Sequence, residues 1–231
     1  LIINKNKIKN DTLMLINRNK KIPRIIVFTD DKCILSPIEL AKVIPINWGI
    51  LIRNYQAPNR KELICSAAKI CKQRGIFFII ANDLKLALSL KASGLHLSEY
   101  HFSRNILSTI FIHSSKLQIT TSAHTFHKIT QSNLYKFDAI FLSPIFKTQS
   151  HPTQSGLGIH RFIALSKKTS VNTLALGGIR LDDYNRLSNF GLYGIGGISI
   201  AKLLSQNFNL TPKRAPFWGA SICETVLSRS K

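Results

Sequence analysis

Acidic residues are scarce in this sequence: 11 Asp and Glu stand against 32 Lys and Arg in 231 residues, a formal charge of +21. Few carboxylates are left for acid–base work or for a hard cation, so each one near a candidate site matters. Long apolar runs are missing as well. None approaches the roughly 20 residues of a membrane-spanning helix. Residues 1–21 hold Lys5, Lys7, Lys9 and Asp11 and no sustained apolar stretch, unlike a secretory signal, so a cytoplasmic location is expected. Methionine occurs once, at Met14, behind an opening leucine. Met14 fits a translation start that would leave residues 1–13 untranslated; an unusual start codon is the alternative. The four cysteines, Cys33, Cys65, Cys71 and Cys223, form no CxxC pair. Cys65 and Cys71 do not share a helix face, and reduced, buried thiols are expected. No GxGxxG follows the first strand-like run, which speaks against a dinucleotide-binding sheet.

What is present suits one large α/β domain. The apolar fraction of 45% supports a full core and excludes a mostly disordered chain. The basic excess is +5 on residues 1–21 and +3 on residues 207–231, which leaves +13 on the body. A nucleic-acid binder concentrates such charge on a stripe interleaved with aromatics. The spread seen here fits attraction of phosphorylated small molecules better than binding of nucleic acid. No membrane partner is expected, and a homo-oligomer stays open.

Eight short strand-like runs occur at residues 24–29, 49–53, 76–81, 94–97, 117–122, 139–143, 173–176 and 193–198. Most are continuously apolar, as parallel strands covered on both faces are. Helical patterns alternate with them, at 37–44, 59–74, 82–92, 102–109, 125–135, 159–168, 181–190 and 199–204. Ser36-Pro37 marks one helix start and Gly75 one helix end. Eight such units predict a single (β/α)8 TIM barrel over 22–206, with basic N- and C-terminal tails at 1–21 and 207–231. A doubly wound open sheet is the alternative.

A barrel of this kind carries its chemistry at the C-terminal strand ends. The rim then holds Thr29, Asp30, Arg53, Tyr55, Asn82 and Asp83 on the early strands. His96, Glu99, Ser122, His124, Thr148, Ser150, Gly177, Gly178 and Ser199 follow on the later ones. Asp83 and Glu99 are a candidate carboxylate pair for Mg2+, which takes oxygen ligands and bridges phosphates. The competing reading of Asp83 is a helix-start residue. His124, between Ser122 and Thr125, is a candidate proton-transfer group, while His96 suits the rim and the core equally. Gly177-Gly178 can form a phosphate nest, and Gly196-Gly197-Ile198-Ser199 a second one beside it.

The order and spacing of Asn82-Asp83, residues 93–97 (SGLHL), 121–125 (TSAHT), 143–146 (SPIF) and 176–179 (LGGI) carry a resemblance. Residues 24–205 resemble the thiamine phosphate synthase/TenI family of (β/α)8 barrels. The resemblance implies a role in thiamine biosynthesis: coupling of hydroxymethylpyrimidine diphosphate with thiazole phosphate, releasing pyrophosphate. It implies that Gly177, Gly178 and Ser199 cradle the thiazole phosphate and that Arg53 holds pyrophosphate. Asn82 and Asp83 would orient the diphosphate and its Mg2+, and Ser122, Thr148 and Ser150 would offer hydroxyls. The alternatives are TenI-like tautomerisation of a thiazole phosphate, for which His124 suffices without metal, and a non-catalytic relative that binds a phosphorylated ligand. Three departures from the family pattern stand out. Residues 51–55 (LIRNY) keep only Arg53 of a Gln-x-Arg-x-Lys strand, His101 replaces a metal-binding aspartate, and His151 stands where a lysine is usual.

Overall fold

Eight parallel strands close on themselves in chain order, β1 (Ile25–Phe28), β2 (Gly49–Ile52), β3 (Phe77–Ala81), β4 (Gly94–Leu97), β5 (Gln118–Ala123), β6 (Ala139–Leu142), β7 (Asn172–Leu176) and β8 (Gly194–Gly197). Each lies within one residue of its expected run. The closing register pairs Ile25 with Ile195 and Val27 with Gly197. This computed structural model describes residues 21–101, 117–135, 137–148 and 155–207. The expected helix at 102–109, Ser150, His151 and nearly all of both basic tails lie outside the described residues.

Alternation along the strands makes two cores, because successive side chains point to opposite faces. Ile26, Phe28, Leu51, Phe77, Ile79, Phe141 and Leu174 fill the barrel interior. Val27, Ile50, Ile52, Phe78, Ile80, Leu95 and Ile140 point outward and pack under the helices. The Phe28 and Phe141 rings meet edge to face at 4.8 Å between centroids. Gly196 makes room for them: a Cβ there would lie 3.1 Å from both rings. Its place in the sequence suggested a phosphate nest; its place in the barrel is inside, against aromatic rings.

The helices are α1 (Pro37–Val43), α2 (Arg60–Arg74), α3 (Leu84–Ser89), α4 (Phe126–Leu134), α5 (Gly158–Ser166), α6 (Asp183–Ser188) and α7 (Ser199–Asn207), with a 3-10 turn at Glu99–His101 after β4. A capping box starts α1: Glu39 N–H donates to Ser36 Oγ at 3.2 Å, and Ser36 N–H donates to the Glu39 carboxylate at 2.9 Å. Gly75 ends α2 at φ 68°. Helix α3 begins two residues later than expected, because Asn82 adopts φ 57° and Asp83 serves as the cap. Below the barrel, the Tyr193 hydroxyl donates to Ile22 O and Arg24 stacks on the Tyr193 ring.

Candidate active site

The C-terminal rim stands on a buried polar layer. His96, on β4, points into the barrel and is 2% exposed. Its Nδ1 lies 3.0 Å from Thr120 Oγ1 and its Nε2 3.3 Å from Ser122 Oγ. Burial, with Arg53 adding a smaller like-charge effect, pushes its pKa down to about 3. His96 is therefore a neutral spacer at physiological pH. Of its two sequence readings the core role holds, and Ser122 is tied to it.

On the β1–β3 side two guanidinium groups are each held by a carboxylate. Arg53 Nη2 lies 3.2 Å from Asp30 Oδ2, with Nε 3.5 Å from Thr29 O and the guanidinium over the Phe28 ring. Beneath it, the buried Thr29 hydroxyl donates to Asn54 Oδ1 at 2.6 Å. Arg60 Nη1 reaches Asp83 Oδ2 at 3.4 Å, and its Nη2 donates to Ala81 O at 2.7 Å. The other Asp83 oxygen accepts the Leu86 N–H at 2.9 Å and caps α3. Asn82 holds the neighbouring loop: its Oδ1 accepts from Ser98 N at 2.9 Å, and its Nδ2 donates to Ser98 Oγ and to the Tyr55 hydroxyl. Ser98 Oγ in turn lies 2.9 Å from His101 Nδ1.

On the β4–β6 side His124 follows β5 and is half exposed. Its Nδ1 lies 3.1 Å from Ser143 O and 3.0 Å from Ser143 Oγ. A carbonyl only accepts, so Nδ1 carries a hydrogen. That Nε2 lies 3.6 Å from Glu99 Oε2. The arrangement sets an imidazole nitrogen beside a carboxylate, a pair that can pass a proton and neutralise the imidazolium.

Ser143 opens the loop that runs across β7. Ile145 N–H donates to Leu176 O and Phe146 N–H to Gly177 O, at 3.0 and 3.1 Å. Gly177 and Gly178 have φ 94° and 68°, and a Cβ on either would come within 3 Å of Pro144 or of Lys147 O and Phe146. Their lack of side chains lets this loop lie on them. Ser199, at the start of α7, donates to Ile179 O at 2.6 Å and ties the β8 end to the same corner.

The structure thus places His124, Glu99 and Ser143 together at one side, and Arg53, Asn82 and Asp83 at the other. Thr148 sits over Gly177, with its Cγ2 3.3 Å from where a Cβ would be. The donor set does not fit Mg2+. Asp83 is shared between a helix cap and Arg60, Glu99 faces His124, and His101 is bonded to Ser98. Sequence reasoning passed over Arg60, Ser143 and Asn54. Arg60 had a signal, since a cation in the first turn of a helix opposes the macrodipole and needs a compensating partner. Ser143 stood in the 143–146 motif with no role given to it, and Asn54 had no signal, because their roles arise from neighbouring strands. A cavity of about 530 Å³ lies elsewhere, lined by Arg24, Lys167, Asn172, Phe190 and Tyr193. It opens at the N-terminal strand ends, where this fold does not place chemistry.

Residues 46–201 match the family model described as thiamine monophosphate synthase. The chain is 30% identical over 131 residues to the putative thiamine-phosphate synthase 2 of Aquifex aeolicus, covering 57% of this chain and 69% of that protein. It is 28% identical over 146 residues to a thiamine-phosphate synthase of Prochlorococcus marinus, covering 63% of this chain. With the thiamine biosynthesis bifunctional protein ThiED of Geobacter sulfurreducens it shares 27% identity over 94% of this chain. The chain spans 40% and 46% of the length of those two relatives. Among solved structures, thiamine phosphate pyrophosphorylase from Pyrococcus furiosus superposes with a TM-score of 0.65 at 19% identity, covering 84% of this chain and 96% of that one. The family model covers more than half of the chain and the closed barrel agrees with it, so the chain belongs to the thiamine monophosphate synthase family.

Proposed function

We propose that this protein acts in thiamine biosynthesis on a thiazole phosphate, and that its reaction is a proton transfer on that ligand by His124. The observation that supports the reading is the His124 geometry, with Nδ1–H held by Ser143 and Nε2 turned toward Glu99. In a tautomerisation Nε2 takes a proton from one ligand atom, the electron pair moves through the ring, and Nε2 returns a proton at another atom. Nothing leaves and no co-reactant is consumed. Glu99 offsets the positive charge while the proton rests on the imidazole, and the fixed carbonyl of Ser143 keeps the ring oriented. The phosphate binds at the Gly177-Gly178 corner, where backbone N–H groups approach an anion closely.

The test has two parts, performed on the full chain. Calorimetric titration with thiazole phosphate should give one site per chain, and NMR in deuterated buffer should report exchange or migration of the ligand proton. Binding without any proton exchange would sink the catalytic reading. A second reading, coupling to a pyrimidine diphosphate, is favoured by Arg53 at the end of β2 and by the synthase names of the relatives. Pyrophosphate release on mixing both substrates with Mg2+ would move the assignment to that reaction.

A further inference from the structure

We propose that the Arg60 guanidinium, and not a divalent cation, is the resident counter-charge of Asp83, so that the rim takes its phosphorylated ligand without a metal ion. Arg60 is the first residue of α2, where the helix dipole disfavours a cation. It is nevertheless held inward by the Ala81 carbonyl and Asp83, with the guanidinium 5.8 Å from the centre of the Tyr55 ring. Its Nε is buried with no hydrogen-bond partner among the described residues. This is not a solvated surface charge.

Asp83 is correspondingly committed. One oxygen caps α3 through Leu86 N–H, and the other faces Arg60. Mg2+ demands a near-octahedral oxygen shell and draws on one or two carboxylates. With Asp83 on Mg2+ as well, the divalent ion would lie beside a guanidinium whose Nε is buried. The other rim carboxylates among the described residues are engaged as well. Asp30 pairs with Arg53 and Glu99 with His124, and position 101 is a histidine bonded to Ser98. Among the described residues no group of three or more His, Cys, Asp or Glu is placed to hold a metal.

The ligand part of this inference rests on the proposed thiazole phosphate site; the metal part does not. Mn2+ titration of the full chain, followed by electron paramagnetic resonance of the free ion, should show no site in the wild type. Arg60→Gln frees Asp83 and should raise Mn2+ affinity on the order of tenfold or more, whereas Arg60→Lys keeps a cation and should stay metal-free. Circular dichroism checks that both variants fold. Micromolar Mn2+ binding by the wild type, lost in Asp83→Asn, would overturn the proposal, as would a folded Arg60→Gln protein that gains no affinity. Should Arg60→Gln not fold, the comparison of thiazole phosphate affinity in Mg2+ and in EDTA decides: equal values support the proposal and a metal requirement overturns it. Absence of thiazole phosphate binding under both conditions overturns the ligand site and the ligand half of the proposal, and leaves the Mn2+ result to decide the metal half.

Discussion

At the scale of single residues, His124 at the rim and His96 buried beneath it are assigned opposite jobs. His124 is half exposed and is the proposed proton-transfer group, so His124→Gln should lower the proton-transfer rate by about 10²–10⁴-fold while thiazole phosphate affinity, read by calorimetry, stays within a few-fold. Glu99→Gln keeps the shape and removes the charge; a loss in kcat at unchanged ligand affinity is the expected outcome. His96 acts on stability instead. Its folded pKa of about 3 lies below the ordinary histidine value of 6.5, so the unfolded chain binds the extra proton across that window. Stability is full above about pH 6.5 and falls as the pH drops toward 3, by up to about 1.4 kcal/mol per pH unit. Urea melts between pH 7 and pH 4 should show this slope, and His96→Gln should flatten it. His124 was legible because it follows a strand among hydroxyl residues. Its partners were not, since Glu99 and Ser143 follow other strands, β4 and β6, and meet it only through the closed register.

At the scale of elements, the strands were readable to within a residue because parallel strands buried on both faces are continuously apolar. Helix starts were less so. Asn82 looked like the first residue of a helix, yet a left-handed backbone there puts Asp83 at the cap and lets the Asn82 amide bridge to Ser98. The sequence offers no periodic signal for such a turn. The glycine pair after β7 was recognised, but as a phosphate nest alone; the structure adds the loop after β6 lying directly on it. Gly177→Ala should therefore cost more than the roughly 1–2 kcal/mol of a left-handed residue, because its Cβ also meets the Pro144 backbone at 2.9 Å. Thermal unfolding checks the stability, and a parallel loss of thiazole phosphate affinity would show that the loop and the anion share this corner. Ser36→Ala, remote from the rim, should lose about 1 kcal/mol and leave ligand binding unchanged.

At the scale of the whole molecule, closure converts a list of motifs into one rim. Eight apolar runs made the barrel legible, whereas the pairing of Arg60 with Asp83 was not, because it joins a helix start to a strand end 23 residues later. The net charge of +21 acts at this scale too. Affinity for an anionic ligand should weaken as salt rises from about 0.1 M to about 1 M, over which the screening length shrinks from about 10 Å to about 3 Å. Calorimetry across that range measures it. The loop from Ser143 to Phe146 has a wider consequence. At one end it grips the imidazole of His124, at the other it lies on Gly177 and Gly178, and Leu157 and Gly158 clasp its middle from the opposite side through Pro144 O and Ile145 O. Under the proposed function, acid–base group and anion seat are two marks on one ruler, and substrates are selected by tether length. On that reading, a homologue with one methylene more between ring and phosphate should still bind and should present the wrong atom to the imidazole.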